Sequence, residues 1–408
     1  MVPNKFLPSQ LGEIPTDWSR VKFSDVMSVR QGLQISISKR LKVPTKTSKE
    51  YITIQSIKKT EQVREYVEAP TKRVTCSKED VLMTRTGNTG IVVTDVEGAF
   101  HNNFFLMDFD RQQVDRDFLV NYLRSNRVQH LILTKAGAST IPDLNHKDFY
   151  SIEFPLASLP EQRKIATILG TWYNAISTTE RLIDNSKQQK KALMQQLLTG
   201  KKRLLDDSGK PFKGMWEEVK LKSIAEMNSG GTPKSSIPEY YGGDIPWVSI
   251  ADMTKHGKWI SKTEKYLTQE GLNNSSARIY PKGTILYAMY ASIGECSIAE
   301  VELSSSQAIL GIRPTDKLSN NYLYYFLTNL KSKITLMGQQ GTQSNLNAGM
   351  VRDFIINLPP KAEQLKIASV LNNADQETVL LEQQLADLKQ EKKALMQQLL
   401  TGKRRVTV

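Results

Sequence analysis

The feature that most constrains this chain is a twelve-residue segment that occurs twice without a change. Residues 190–201 are identical to residues 392–403, at an offset of 202 positions. At the same offset, residues 161–169 resemble residues 363–371, so the two copies align without a gap over about forty residues. A repeat of this length indicates two related halves, each ending in a similar segment.

Weaker echoes upstream extend the repeat to the rest of each half. The segment that begins at Trp18 resembles the one that begins at Trp216, and residues 81–84 resemble residues 285–288. A chain of 408 residues is also long for a single core. We therefore predict a first domain over residues 1–155, a first helical spacer over 156–203, a second domain over 204–358 and a second helical spacer over 359–408.

Both spacers have coiled-coil spacing, because apolar residues recur at alternating intervals of four and three. Pro160 and Pro360 precede the segments, and Gly200 and Gly402 follow them, as helix boundaries prefer. The predicted interface residues are Ile165, Leu169, Ile176, Ile183, Leu193, Leu197, Ile367, Leu371, Leu381, Leu385, Leu395 and Leu399. Two similar helices of this kind predict an antiparallel coiled coil with pseudo-two-fold symmetry. The alternative is that each helix packs only on its own domain.

The two larger segments predict the α+β class. Short β-like runs, such as residues 81–83 and 285–287, precede the helical stretches 117–133 and 320–337. Polar loops rich in Gly, Ser, Thr, Asn and Gln separate these elements. Such loops are ordinary turns in many proteins, yet their side chains are also of the types that pair with the edges of bases.

Both interpretations of the loops remain open at this point. The candidate base-contacting residues are Arg85, Thr86, Asn88, Ser139, Thr140, Gln339, Gln340, Thr342, Gln343, Ser344 and Asn345. Aromatic residues on the predicted strands, namely Trp247, Tyr287 and Tyr290, fit a core better than they fit base stacking.

The charge of the chain points to a polyanionic partner. The 55 Lys and Arg residues exceed the 42 Asp and Glu residues, which gives a net charge of +13. Such a field attracts nucleic acid, although solubility alone is an alternative explanation. No stretch reaches the roughly 20 apolar residues that a bilayer requires, and the first ten residues have no signal-peptide pattern. We therefore expect a cytoplasmic protein without a membrane partner.

Motifs for catalysis are missing. Pro142, Asp143 and Glu153 resemble part of a nuclease motif but lack its lysine. Residues 357–361 have an inserted leucine and no aromatic residue where an amino-methyltransferase loop would need one. Phosphate-binding glycine loops and metal-ligand spacing are also missing, and the two cysteines exclude a cysteine-rich zinc site. We expect no catalytic residue, metal or cofactor in this chain.

The complete pattern resembles the specificity subunit of type I restriction-modification enzymes. The opening Gly-Glu-Ile-Pro-Thr-Asp-Trp at residues 12–18, the start of the first helical segment at 160–166 with its copy at 363–368, and both Leu-Leu-Thr-Gly-Lys ends carry the resemblance. The resemblance implies two target-recognition domains separated by an antiparallel coiled coil. Each domain would bind one half of a bipartite, non-palindromic site in double-stranded DNA, without catalytic activity.

The resemblance also implies partner subunits that hold the cofactors. Two methylation subunits would dock on the helices and the recognition domains, and would use S-adenosylmethionine to methylate adenine. Two restriction subunits would then join, and would translocate DNA with ATP and Mg before cutting. A DNA-binding regulator without methyltransferase partners and a coiled-coil adaptor remain as alternatives.

Overall fold

A computed structural model describes residues 6–10, 12–58, 64–137, 140–339 and 346–407. The chain divides into two compact units, which we call unit 1 (residues 1–180 and 384–408) and unit 2 (residues 181–383). The unit boundaries fall within two helices of 39 residues each. None of the helices in these ranges has the length and apolar character needed to cross a membrane.

Unit 1 consists of short strands followed by helices. Its strands are β1 (Phe6–Ser9), β2 (Gly12–Pro15), β3 (Ser19–Lys22), β4 (Met27–Gln31), β5 (Lys49–Ile52), β6 (Tyr66–Val67), β7 (Thr75–Cys76), β8 (Val81–Thr84), β9 (Val92–Val93), β10 (Gly98–Phe100), β11 (Phe104–Phe109) and β12 (Glu153–Leu156). Its helices are α1 (Phe23–Val26), α2 (Ile54–Lys58), α3 (Arg116–Arg124), α4 (Asn126–Ala136) and α5 (His146–Tyr150), followed by the long helix α6 (Leu159–Leu197), which continues into unit 2.

Unit 2 has a similar order of elements. Its strands are β13 (Glu217–Lys220), β14 (Ala225–Ser229), β15 (Tyr241–Val248), β16 (Trp259–Ile260), β17 (Lys265–Leu267), β18 (Ile285–Ala288), β19 (Cys296–Ala299), β20 (Ser304–Ser305), β21 (Ile309–Pro314) and β22 (Ile355–Leu358). Its helices are α7 (Ile250–His256), α8 (Gln269–Asn273), α9 (Asn320–Gln339) and α10 (Ala348–Arg352), followed by the long helix α11 (Lys361–Leu399), which continues into unit 1.

The sheets of the two units have related connections. In unit 1 the main sheets have the orders β4-β11-β8-β9 and β6-β5-β10-β7. In unit 2 the corresponding orders are β14-β21-β18-β19-β16 and β17-β15-β20. Each unit also has a two-stranded antiparallel ladder, β3 with β12 and β13 with β22. The ladders bring residues 19–22 beside 153–156 in unit 1 and residues 217–220 beside 355–358 in unit 2.

The helical stretch predicted over residues 117–133 is divided in two. Asp115 caps α3 by accepting a hydrogen bond from the Phe118 N–H. The helix stops at Ser125, whose backbone is extended with ψ of 141°. The Ser125 hydroxyl donates to the Tyr122 carbonyl, and α4 begins at the next residue. A serine that bonds to the preceding turn competes with helix continuation, which explains the break.

In unit 1 the beginning of α6 contacts the end of α11. Ile165 and Leu399 are buried in the same apolar core as the strands and α3. Nearby on the surface, Lys389 forms an ion pair with Glu180 at 2.8 Å. Each helix therefore contacts both the core of the unit and the other helix.

In unit 2 the end of α6 contacts the beginning of α11. The hydroxyls of Ser186 and Thr378 lie 2.9 Å apart in a buried hydrogen bond, and Lys187 pairs with Glu382 at 2.7 Å. These contacts exclude the simpler alternative, in which each helix packs only against its own domain.

A buried carboxylate attaches the beginning of α6 to unit 1. The Glu161 side chain accepts two hydrogen bonds from Arg405, at 2.7 and 2.8 Å, and one from the Trp18 indole at 3.0 Å. Such a bidentate arginine pair has a fixed geometry, so it holds the first turn of α6 against Trp18 and the C-terminal segment of unit 1.

Unit 2 repeats this arrangement at the beginning of α11. Arg203 donates to both oxygens of Glu363, at 3.0 and 2.6 Å, and the Trp216 indole donates at 3.1 Å. The residue pattern of the repeat is therefore accompanied by the same three-residue contact in both units.

Candidate functional site

A tight turn follows a fully buried strand in each unit. In unit 1 the Gly90 N–H donates to the Thr84 carbonyl at 2.8 Å, just after β8. In unit 2 the Gly294 N–H donates to the Ala288 carbonyl at 3.0 Å, just after β18. The correspondence predicted between residues 81–84 and 285–288 is therefore confirmed at the level of hydrogen bonds.

Three other segments meet this turn in unit 1. The Arg85 N–H donates to the Asn103 carbonyl at 2.7 Å, and the Leu144 N–H donates to the Arg85 carbonyl at 2.9 Å. The Leu33 N–H donates to the Phe100 carbonyl at 2.8 Å, and the Asn102 N–H donates to the Leu33 carbonyl at 3.2 Å. Residues 32–34, 85–90, 101–103 and 140–143 are thus held together, and we call them the loop edge of unit 1.

The same backbone arrangement occurs in unit 2. The Met289 N–H donates to the Ala308 carbonyl at 2.9 Å, and the Leu346 N–H donates to the Met289 carbonyl at 3.1 Å. The Gly231 N–H donates to the Ser305 carbonyl at 2.9 Å. We call residues 230–232, 289–294 and 306–308 the loop edge of unit 2.

Glycine is required where the first loop crosses the next strand. A Cβ atom at Gly32 would lie 1.9 Å from the Phe100 carbonyl oxygen, and one at Gly230 would lie 2.3 Å from the Ser305 carbonyl oxygen. No side chain fits at either distance, so the backbones approach closely only because both residues are glycine. Sequence reasoning missed this equivalence of Gly32 and Gly230.

The predicted residues of unit 1 are partly engaged within the protein. The Arg85 guanidinium lies 2.8 Å from Asp143 and also covers the Phe105 ring. The Thr86 hydroxyl donates to the same carboxylate at 2.5 Å. Asn88 and Thr140 are exposed. Arg85 and Thr86 therefore lie at the loop edge but are held by Asp143.

The predicted loop of unit 2 is described only at its start. Gln339 is the last residue of α9. Ser139 of unit 1, together with Gln340, Thr342, Gln343, Ser344 and Asn345, lies outside the described residues. The roles assigned to these residues stay predictions.

The structure adds polar residues to each loop edge that sequence reasoning missed. In unit 1 the Asn102 side-chain Nδ2 donates to the Gln34 side chain at 3.0 Å, and the Asn102 Oδ1 atom is buried without a described partner. In unit 2 the Gln307 N–H donates to the Thr232 hydroxyl at 3.4 Å. The partners are 68 and 75 residues apart, so no local motif could have revealed them.

The three aromatic residues divide between core and surface. Trp247 and Tyr287 are buried, as the sequence predicts. Tyr290 is 40% exposed and lies at the loop edge of unit 2, one residue after Met289. It occupies the position that corresponds to Thr86 in unit 1.

Most of the predicted helix-interface residues are buried. Ile165, Leu169, Ile176, Ile183, Leu197, Ile367, Leu371 and Leu399 are buried, and Leu193, Leu381, Leu385 and Leu395 are half-buried. Eight of these residues pack in the cores of the units, namely Ile165, Leu169, Leu193, Leu197, Ile367, Leu371, Leu395 and Leu399. The other four, Ile176, Ile183, Leu381 and Leu385, belong to neither core.

The described residues contain no group of three or more His, Cys, Asp or Glu side chains that is arranged to hold a metal. Burial raises the pKa of the Cys76 thiol to about 11. Burial likewise raises the pKa of the Cys296 thiol well above its usual range. Both thiols are therefore protonated near neutral pH, which makes them poor nucleophiles and poor metal ligands.

Comparison with known proteins gives a consistent result over most of the chain. A family model described as the type I restriction modification DNA specificity domain matches twice, over residues 15–186 and 213–390. The MjaIX specificity subunit of Methanocaldococcus jannaschii is 36% identical over 163 residues, which are 39% of this chain and 38% of that relative. The MjaVIII specificity subunit of the same organism is 24% identical over 417 residues, covering 96% of this chain and 94% of that relative.

Solved structures are similar over nearly the full length. A chain from a study of assembly and conformational transition in a type I restriction-modification system has a TM-score of 0.63 at 19% identity, covering 96% of this chain and 99% of that chain. The HsdS subunit from Thermoanaerobacter tengcongensis has a TM-score of 0.51 at 19% identity, covering 96% and 98%. These likenesses concern the fold, in which two tandem α+β domains occur with a long helix, and they confirm the predicted class.

Proposed function

Because the chain belongs to the type I restriction-modification DNA specificity family, we propose that each unit reads one half of a bipartite DNA site with its loop edge. A specificity subunit is not the catalytic component, and catalysis lies in partner subunits of the type I system. The function of this chain is therefore recognition and positioning.

One observation carries the proposal, namely that the two loop edges have the same backbone hydrogen bonds but different side chains. Arg85 and Thr86 of unit 1 correspond to Met289 and Tyr290 of unit 2. Groups that pair with base edges determine which sequence is read. Two different sets on the same backbone support two different half-sites, and hence a non-palindromic target.

The chemistry of the loop edges suits contacts in the major groove. Arginine donates in bidentate fashion to guanine, and asparagine and glutamine pair with adenine. Arg85 would exchange its ion pair with Asp143 for a base, while Gln34 and Asn102 would offer amides beside it. We retain the candidates Arg85, Thr86, Asn88, Ser139, Thr140, Gln339, Gln340, Thr342, Gln343, Ser344 and Asn345 as base-contacting residues. The net charge of +13 supports additional contacts with phosphates.

The two long helices would form an antiparallel coiled coil with pseudo-two-fold symmetry. Within unit 2, Ser186 meets Thr378 whereas Lys190, further along α6, meets Asp375, earlier in α11. This opposite order supports antiparallel packing. A helix of 39 residues is about 58 Å long, and such a rod would set the number of base pairs between the half-sites. The proposed domains are residues 1–155 and 204–358, with spacers at 156–203 and 359–408.

Exposed apolar residues on the helices support the docking of partner proteins. Leu182, Leu365, Val379 and Leu380 are 47%, 54%, 63% and 70% exposed. Three of them lie on α11, where Val379 and Leu380 are adjacent, and contiguous exposed apolar surface is typical of protein interfaces. Two methylation subunits with S-adenosylmethionine would dock there, and two restriction subunits that use ATP and Mg would join them in the cytoplasm.

An exchange of one recognition segment tests the proposal. Residues 216–358 are replaced by the matching segment of another specificity subunit, because Glu217 and Leu358 are paired neighbours and both ends join at one place. Base-resolution mapping of methyladenine should show a change in one half-site only, and exchanging residues 19–156 should change the other half-site. A change in both halves after a single exchange would refute the modular assignment. Failure to copurify a methyltransferase would favour the DNA-binding regulator.

A further inference from the structure

Unit 1 contains a basic groove whose lining shares no residue with its loop edge. The groove has a volume of about 760 Å³ and lies between the α3–α4 junction, the beginning of α6 and the end of α11. Six cationic residues line it, namely Arg124, Arg127, Lys389, Lys392, Lys393 and Lys403. Within the described ranges, no acidic side chain lines the groove. We call it the basic groove.

Most of this charge is not neutralised inside the protein. Lys389 pairs with Glu180, whereas the Lys392 ammonium lies over the Tyr173 ring, 3.0 Å from its centroid. Lys393 and Lys403 are exposed and form no ion pair with any residue that the structure describes. The groove therefore has a positive potential that water and counterions must balance.

The beginning of α4 adds hydrogen-bond donors to the groove. Ser125, Asn126 and Arg127 all line it. Since the Ser125 hydroxyl bonds to the Tyr122 carbonyl, it does not cap α4. The Ser125 side chain thus leaves the first backbone N–H groups of this 11-residue helix uncapped, and a helix N-terminus favours anions.

The identical residues of unit 2 are in a different electrostatic environment. Lys190 corresponds to Lys392, but it is paired with Asp375, which occupies the position of Tyr173 at the same offset. Lys187, the counterpart of Lys389, pairs with Glu382. The Lys187–Glu382 pair repeats the Lys389–Glu180 pair of unit 1. The two copies therefore differ at one position, where Lys190 is neutralised by Asp375 and Lys392 lies over an aromatic ring instead of a carboxylate.

The lining of the groove favours a phosphate backbone over a protein segment. Of its apolar and aromatic residues, Tyr122, Ile176, Met396 and Leu400 are buried, and the half-buried Tyr173 ring is covered by the Lys392 ammonium, so the groove offers little apolar anchor to a partner chain. Protein interfaces depend on such anchors. Contacts with phosphates use Lys, Arg, Ser and Asn side chains and helix N-termini, which are the groups present here.

We propose that the basic groove binds backbone phosphates of duplex DNA and thereby positions unit 1 on the target. The inference rests on the proposed function, since it assumes that the chain binds DNA. It assigns part of the affinity for DNA to the long helices and the α3–α4 junction. Because such contacts read no bases, they would strengthen binding to any sequence.

The identical repeat provides a matched pair of variants. In the first variant, Lys393→Gln and Lys403→Gln remove two charges from the groove. In the second, Lys191→Gln and Lys201→Gln remove the same two charges from the same sequence in unit 2. The full chain, purified with the subunits that assemble with it, is titrated with a mixed-sequence duplex between about 50 and 200 mM salt.

The groove variant should lower the slope of log K against log salt by ~1.8, or about 0.9 for each lost contact, and should weaken binding roughly 10- to 60-fold near 0.1 M salt. The matched variant should bind like the wild type, and Lys393→Arg with Lys403→Arg should retain binding. Equal losses in both glutamine variants would overturn the proposal. It would also be overturned if the groove variant lost a partner protein while its salt slope stayed unchanged, which would indicate docking of an acidic protein.

Failure of the proposed function would look different. In that case the wild-type protein would bind the DNA site identified by methyladenine mapping no better than it binds the mixed-sequence duplex. The salt comparison does not use that preference, so the two failures are distinguishable.

Discussion

Replacing Arg405 by alanine should destabilise unit 1 strongly, because it leaves a carboxylate buried without its counter-charge. Glu161 is 3% exposed and accepts two hydrogen bonds from the Arg405 guanidinium, at 2.7 and 2.8 Å, while a third bond from Arg405 goes to Asp17 at 2.9 Å. After the substitution only the Trp18 indole would still donate to it. Removing one partner of a buried pair costs about 3–5 kcal/mol, so the free energy of unfolding of unit 1 should fall by that amount.

The assay must report on each unit separately, since a chain with two units need not unfold in one step. Hydrogen exchange of peptides from residues 159–180 in a urea series gives the local free energy of unfolding.

Glu161→Gln in the Arg405→Ala background should recover part of the loss, because the buried charge is then gone. Arg404→Ala, at the exposed neighbouring position, should change the free energy by less than about 0.5 kcal/mol. A loss below ~1 kcal/mol for Arg405→Ala, or purely additive effects in the double variant, would refute the reasoning.

Three further predictions concern other residues. Burial lowers the pKa of Lys258 to about 8, so between about pH 8 and 10 the unfolded chain binds more protons than the folded one. Unit 2 should therefore gain about 1–2 kcal/mol of stability as the pH rises through this range. Urea titrations at both pH values should show this gain, and Lys258→Met should abolish it. Thr378→Val should lower the free energy of unfolding by about 1–3 kcal/mol, because the buried Ser186 hydroxyl loses its hydrogen-bond partner. Adding Ser186→Ala should restore most of the thermal stability. A double variant as unstable as Thr378→Val alone would contradict this role of the Ser186–Thr378 hydrogen bond. Arg85→Gln should weaken discrimination at one base pair of one half-site by about 1–3 kcal/mol. Mapping of methyladenine would show this as a degenerate position in the methylated sequence. An unchanged sequence would show that Arg85 is not a base-contacting residue.

Several features of the fold were predictable because their signals are local or repeated. The helices over Leu159–Leu197 and Lys361–Leu399 follow from heptad spacing and from the flanking proline and glycine residues. The correspondence of β8 with β18 follows from the repeat. Turn type and helix periodicity depend on neighbouring residues, so a single sequence contains that information.

The candidate site was only partly predictable. Arg85 was chosen for its chemistry, but its pairing with Asp143 joins residues 58 positions apart. Gln34 and Asn102 meet across 68 positions. Neither contact has a sequence signature, since each depends on which loops the sheet brings to one edge.

The sequence by itself determined that the chain has two related halves, each with a long amphipathic helix, because repetition and periodicity are properties of the chain alone. Only the tertiary structure decided which charges remain available to a partner. Lys190 and Lys392 have identical neighbours for twelve residues, yet Asp375 pairs with Lys190 while Tyr173 lies under Lys392. The reason is physical, because the electrostatic environment of a side chain is set by groups that are near in space, and folding brings those groups from distant parts of the chain.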